Sequence, residues 1–472
     1  MVKLTVLDAI EVEAIHQATL QILDEIGVVL TQPEARELLT GGGASIRDDR
    51  VLLPPEMVER ELALCPKTVS VRGRDVDKRI TLGDGALDWH NLGGARDVFE
   101  PPSGARRPAT LQDVRDSARL LDALDGVTSI TPLFTPQDVA GSLMSLAMYR
   151  HTLPQTTKPV QGPGVQTANE VRFAVRMAEV IGPPSEVFTI GISPVSPLFF
   201  PDDVAESMME TARCGVPLAP LPCPTAGATG PLSLAGVLAQ QNAEVLAAAV
   251  LAQLVRPGLP IVYCGRLAMM EPMTGMSVWG GVELGLASAA TVQLAHRYNL
   301  PVNVYGFSTN DHVLGLQNGY ERALNAVIPA LAGADELSGV GEMAAGVMSS
   351  YAQMVCDNEI AASVRRLVRG LAVNEDTLAV DVIAQVMGST RNFLEQRHTV
   401  RHLRGGELLF TNLAERRSWE EWDRTGRVSM AERAQAEAER LLSQHEVPPL
   451  SAAQERELDS ILEAAGRELA VS

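Results

Sequence analysis

The chain has 472 residues, a formal net charge of −19, an apolar share of 46% and only 4% aromatic side chains. That length supports one large domain with additions or a few smaller ones, and that apolar share supports a sizeable core rather than disorder. The acidic balance excludes a nucleic-acid binder, which needs a basic face, and suits a protein that attracts a basic partner or a cationic ligand.

The first residues, "MVKLTVLDAIEVEAIH", turn acidic within a few positions and carry no signal-peptide pattern. Asp8 and Glu11 form a capping-box pair ahead of Val12, Ile15, Ile22 and Ile26, which keep a helical period. Further helices are expected from Pro33 to Leu39 and from Pro54 to Leu64, so residues 1–80 read as a helical N-terminal region. From 81 to 345 short β-favouring stretches recur: "ALDWHNLGG", "VTSITP", "KPVQGPG", "VFTIGISP", "VPLAPLPCP", "PIVYCG", "PVNVYGF" and "DELSGVGE". Helix-like segments separate them. Eight strands alternating with helices predict an α/β fold, a closed (β/α)8 barrel of the TIM type, with a doubly wound open sheet as the alternative. The longest apolar run, "LSLAGVLAQQNAEVLAAAVLAQLV", carries Gln240, Gln241, Asn242 and Glu244 in its middle and reads as a buried helix, not a membrane span. Cys65, Cys214, Cys223, Cys264 and Cys356 have no ligand or disulfide spacing, as expected of reduced thiols in a cytoplasmic protein. Residues 346–472 read as amphipathic helices that pack on the barrel or on a partner subunit of a homo-oligomer.

In a parallel barrel the loops after the strands build the pocket. Here they read Trp89-His90-Asn91, Thr131-Pro132, Gln161-Gly162-Pro163-Gly164, Ser193-Pro194, Pro222-Cys223-Pro224, Gly265-Arg266, Gly306-Phe307 and Gly339-Val340-Gly341-Glu342. In a chain so poor in rings, Trp89, Trp279, Tyr305, Phe307 and Tyr351 stand out as candidates for an aromatic cage around a cation, against the plainer reading of ordinary core. Asp311 and His312 are candidate reactive groups, against the plainer reading that they cap the next helix. Glu342 is a third, against a structural pairing with an arginine such as Arg266. No short His/Cys spacing supports a metal site, so no tightly bound metal is expected.

The segments "NLGGARDVFEPPSGARRPATLQD", "LDALDGV", "TTKPV", "AGATGPLSLAGVLAQQNAEVLAAAVLAQLVRPGLPIVYCG" and "GLQNGYERALNAVIPALAGADELSGVGEM", with "SYAQMVCDNEI", are together specific in order and spacing. Through them the chain resembles the trimethylamine methyltransferase (MttB-type) family over nearly its whole length. The resemblance implies a (β/α)8 barrel that passes a methyl group from a methylated amine to the cobalt of a corrinoid (cobalamin) carried by a separate protein, which docks over the barrel mouth. Trimethylamine-specific members use an in-frame pyrrolysine. This sequence holds the twenty standard residues alone, and members of that kind look like demethylases of quaternary amines such as glycine betaine, carnitine or proline betaine. On this reading Tyr305 and Phe307 face the trimethylammonium head with Trp89 or Trp279 opposite. Asp311, His312 and Gln317 orient the other end, Glu342 offsets the charge, and Arg266 and His90 take a substrate carboxylate, with Gln161 and Tyr351 completing the pocket. Three other readings use the same loops: a trimethylamine-type substrate, metal-assisted hydrolysis by His90, Cys223, His312 and Glu342, and a non-catalytic quaternary-amine binder.

Overall fold

The computed structural model describes residues 3–101, 103–162, 164–389 and 391–469; Pro163 of the third strand-end loop and the outermost residues of the chain lie outside them. The eight expected stretches close into one parallel ring. Asp88–Asn91 pairs with Glu336–Val340, which pairs with Val302–Tyr305, which pairs with Tyr263–Gly265. On the other side Phe188–Ile192 lies between Val160–Gly162 and Leu218–Pro220. Parallel bridges Leu218–Ile261 and Ile130–Val160 join the two halves. The amide of Thr128 donates to the carbonyl of Trp89 at 2.9 Å and closes the circle. Each strand is followed by a helix, the right-handed arrangement a parallel barrel requires.

The strands are short β-branched or apolar runs stopped by Gly or Pro, and their side chains alternate between the lumen and the helix layer. Leu234–Val255 is the longest helix and is sunk in the molecule: it is long and apolar enough to cross a membrane, yet 83% of its apolar window is buried inside the protein. Its mid-helix polar groups have partners. Glu244 accepts from Ser196 Oγ and Leu198 N, both at 2.8 Å, and Asn242 Nδ2 donates to Tyr298 Oη at 2.7 Å.

The N-terminal region is not helical alone. Ala9–Gln21, capped by Asp8 with Glu11 answering, and the helices Pro33–Gly42 and Pro55–Leu62 lie against Leu234–Val255. Strands Val28–Leu30, Ser45–Arg47 and Arg50–Leu52 interleave with them. Three-residue strands are too short to show a period of two, which is why the pattern read as helix throughout. The hairpin Val69–Arg72 and Arg79–Leu82 presses Val69, Val71, Ile80 and Leu82 onto Ala219, Val262 and Cys264 and plugs the bottom of the barrel.

At the other end of the chain, Tyr351–Arg369 completes the helix ring. Met430–Gln444 packs back on it through the small residues Ala434 and Ala438. Ala452–Leu469 lies on Ala168–Glu179 and is held by Arg150, whose guanidinium contacts Glu455 and Asp459 at 2.7 Å each.

Candidate active site

The lumen above the hairpin plug holds a cavity of about 240 Å³. That is below the roughly 300–1,000 Å³ of drug-sized sites and suits a small metabolite. Its floor is Val71, Ile80 and Leu82, its waist is His90, Gln161, Asn303 and Glu336, and toward the mouth it meets Arg266, Trp279, Tyr305 and Cys223. Six of the residues expected from sequence therefore share one cavity: His90, Gln161, Cys223, Arg266, Trp279 and Tyr305.

Glu336 is the anchor of the waist. One carboxylate oxygen accepts from Ser129 Oγ at 2.8 Å and from Gln161 Nε2, and the other accepts from Asn303 Nδ2 at 2.5 Å. Burial pushes its carboxyl up to about 7, against the pull of those donors. His90 lies beside it, with Nε2 2.9 Å from Asn303 Nδ2 and Nδ1 3.3 Å from Thr131 Oγ1. Burial, then the Arg266 charge, pushes the imidazole down to about 3, so it stays neutral and is no cationic partner for a substrate carboxylate.

Arg266 is 4% exposed. Its guanidinium donates to Asn303 Oδ1 at 2.5 Å and to the Asn303 carbonyl at 3.1 Å, and it lies 4.9 Å over the Tyr305 ring. Among the described residues no carboxylate forms an ion pair with it, an arrangement proteins avoid unless a ligand completes it. The Tyr305 ring also meets Trp279 at 4.8 Å, tilted by 34°. Two nearby groups fix Trp279. Asn310 Oδ1 accepts from the amides of Trp279 and Gly280 at 2.7 and 2.8 Å, and Gly346, at φ 80°, lies so close that a Cβ there would stand 2.7 Å from the indole.

The other expected residues lie elsewhere. Trp89 and Phe307 stack on each other with centroids 4.6 Å apart and no exposure. They sit in the core behind the barrel wall, because His90 takes the inward position of its strand and alternation turns Trp89 outward. Asp311 accepts from the amides of His312 and Asn318 and organises the start of Leu316–Ala332, as a cap does. His312 is exposed on the outer rim, apart from His90 and Cys223, so the residues of the hydrolase reading are not brought together. Gln317 donates to Glu321 at 2.9 Å, and Tyr351 Oη donates to Asp113 at 2.9 Å. Glu342 is not paired with Arg266. It is buried near the Arg322–Asp357 pair, no side chain among the described residues donates to it, and burial pushes it up to about 8.

Sequence reasoning passed over Glu336, Asn303 and Asn310. The signal for the first was present: an acid inside a strand that must be buried on both faces, in "ADELSGV".

The trimethylamine methyltransferase (MTTB) family model matches residues 1–469. A trimethylamine methyltransferase MttB from Desulfitobacterium hafniense (strain DSM 10664 / DCB-2) is 32% identical over 98% of this chain and 94% of that protein. A glycine betaine methyltransferase from Desulfitobacterium hafniense (strain Y51) is 28% identical over 99% and 98%. The solved monomethylamine methyltransferase of Methanosarcina barkeri superposes with a TM-score of 0.49 and 11% identity over 97% of this chain and 91% of that one.

Proposed function

The chain belongs to the trimethylamine methyltransferase family, and on that premise we propose that it takes a methyl group from a quaternary amine bearing a carboxylate, such as glycine betaine, carnitine or proline betaine, for delivery to a corrinoid protein. One observation carries the substrate class: Arg266 is buried in the lumen without a carboxylate partner among the described residues, on the same Tyr305 ring that meets Trp279. A zwitterion answers both features. Its carboxylate pairs with the guanidinium, and its onium head lies against the indole face, with Glu336 balancing the charge.

When present, the corrinoid supplies a Co(I) nucleophile, and a quaternary nitrogen leaves as a neutral tertiary amine, so no general acid is required. The work of this chain is then to position, to desolvate and to hold charge. Asn303 links the two ends of the site, donating to Glu336 and accepting from Arg266. The hairpin plug seals the bottom and leaves the mouth as the route of approach. Leu232, Met273 and Met276, in loops that follow strands, and Leu316, at the start of the helix Leu316–Ala332, stand exposed on the mouth side and fit a flat, largely apolar macrocycle and its carrier.

The test incubates the protein with a reduced corrinoid carrier and separate amines, and measures the demethylated amine by mass spectrometry. Turnover of a carboxylated quaternary amine is expected. Turnover of trimethylamine with none of the carboxylated quaternary amines would reverse the substrate reading.

A further inference from the structure

We propose that Trp279 sets the size limit on the amine: its indole is a partition that shuts the lumen off from a larger groove on the outer rim, so that only a head with methyl-sized substituents fits. The class of ligand rests on the substrate reading above, and the partition rests on geometry. The rim groove has a volume of about 950 Å³, against about 240 Å³ for the lumen. Among the described residues Trp279 alone lines both spaces. The groove is otherwise walled by residues such as Met276, Val278, Tyr320, Leu324 and Val347, and no Lys or Arg is among them. Such a lining suits an apolar or aromatic substituent carried on a cation. With the indole in place, that space is closed to anything held by Arg266.

The partition has a built seat. On the lumen side the indole meets Tyr305 at 4.8 Å. Behind it runs the turn Ala344, Ala345 and Gly346, with φ of 51, 53 and 80° in succession. Two alanines in the left-handed region are strained, and such a run persists only where its surroundings hold it. Here the Ala344 amide donates to the Asp311 carbonyl at 3.0 Å and the Ala345 amide to the Thr309 carbonyl at 2.8 Å. Asn310, between those two, fixes the backbone of Trp279. One segment therefore holds both the ring's backbone and the turn that backs the ring. Gly346 completes the fit. A Cβ there would stand 2.7 and 3.1 Å from two indole carbons and 3.6 Å from Leu92, which lines the lumen. A side chain at 346 gains room only by pushing the indole toward Tyr305, into the space an onium head needs. The absence of a Cβ at 346 thus sets the width of the pocket, and removing the indole would merge the two spaces.

Calorimetry on the full chain with two pairs of probes tests this. One pair is glycine betaine and its analogue with a benzyl group in place of one N-methyl; the other is tetramethylammonium and benzyltrimethylammonium. The wild type is expected to prefer the methyl member of each pair by about tenfold or more. Trp279→Ala is expected to bind the benzyl member at least as tightly as the methyl member, a gain that a damaged fold does not produce. Gly346→Ala is expected to weaken the methyl members about tenfold in the wild type, and by about twofold or less in the Trp279→Ala background. Backbone strain at φ 80° is common to both backgrounds, so the difference isolates the contact with the ring. Should Trp279→Ala not fold, Trp279→Leu, which keeps an apolar body without the indole, takes its place. Benzyl members that bind the wild type as well as the methyl members, or that gain nothing when the indole is removed, would overturn the proposal, as would equal losses from Gly346→Ala in both backgrounds. A carboxylated pair with no advantage over the other pair would count against the substrate reading alone, because the size comparison within the carboxylate-free pair still decides the partition.

Discussion

Arg266 decides between an amine with a carboxylate and one without. A guanidinium buried on Asn303 and Tyr305 needs an anion to complete it, and a hydrogen bond to a charged group is worth about 1.5–3 kcal/mol. Arg266→Leu is therefore expected to weaken a carboxylated quaternary amine about 10- to 100-fold by calorimetry while leaving tetramethylammonium little changed. Equal losses for both ligands would mean that the side chain serves packing only. Glu336 adds a pH signature. Its carboxyl, pushed up to about 7 by burial, binds a cation best when ionised, so kcat/KM for the onium substrate is expected to rise with pH through about 7. Glu336→Gln should flatten that limb. A profile that falls across the same window in the wild type would remove Glu336 from the charge balance.

At the scale of single elements, the alternation of one strand and the capping of one helix separate binding residues from structural ones. Phe307 stacks on Trp89 outside the cavity, so Phe307→Ala is expected to lower stability by about 3–5 kcal/mol and to leave ligand affinity in the folded fraction unchanged. Denaturant unfolding paired with calorimetry reads both quantities. Asp311 organises the turn into Leu316–Ala332, and Asp311→Ala is expected to cost about 0.5–2 kcal/mol of stability, again without a binding defect. These two residues show what was legible in the sequence. All eight barrel strands could be found, because each is a short β-favouring run closed by Gly or Pro. The face each residue takes could not be found, since strands of three to five residues fix no phase. Trp89 and His90 are neighbours with opposite fates, and the ends of strands looked richer in function than their interiors, where Asn303 and Glu336 carry the polar waist. Asp311, a candidate reactive group by sequence, is chiefly a brace for the next helix, and its neighbour Asn310 holds the Trp279 loop. Only side-chain contacts across the barrel mouth reveal that.

Across the whole molecule, the buried titratable groups set opposing limits on stability against pH. Glu342 is pushed up to about 8, and Asp88 to about 7, in both cases chiefly by burial. A carboxyl raised above its unfolded value contributes most below that unfolded value, near 4, and its contribution is lost as pH climbs through the folded one. The net charge of −19 adds self-repulsion in the same direction. On the acid side the histidines act the opposite way. Burial holds His90 down to about 3 and His151 down to about 4, so each favours the folded state above an unfolded value near 6.5, and that advantage is lost as pH falls toward the folded value. Glu210, lowered by its bond from Arg172, loses its contribution in acid as well. The two limits place the expected maximum of the melting temperature between the unfolded carboxyl value of about 4 and the unfolded histidine value of about 6.5. Glu342→Gln removes a carboxyl that burial pushes up to about 8, so the variant should melt above the wild type at pH 9 and by a smaller margin at pH 6. Differential scanning calorimetry across pH 5 to 9 measures both curves. A wild-type melting temperature that keeps rising to pH 9, or a variant that gains nothing there, would show that Glu342 finds a partner in solution and that the alkaline limit has another origin.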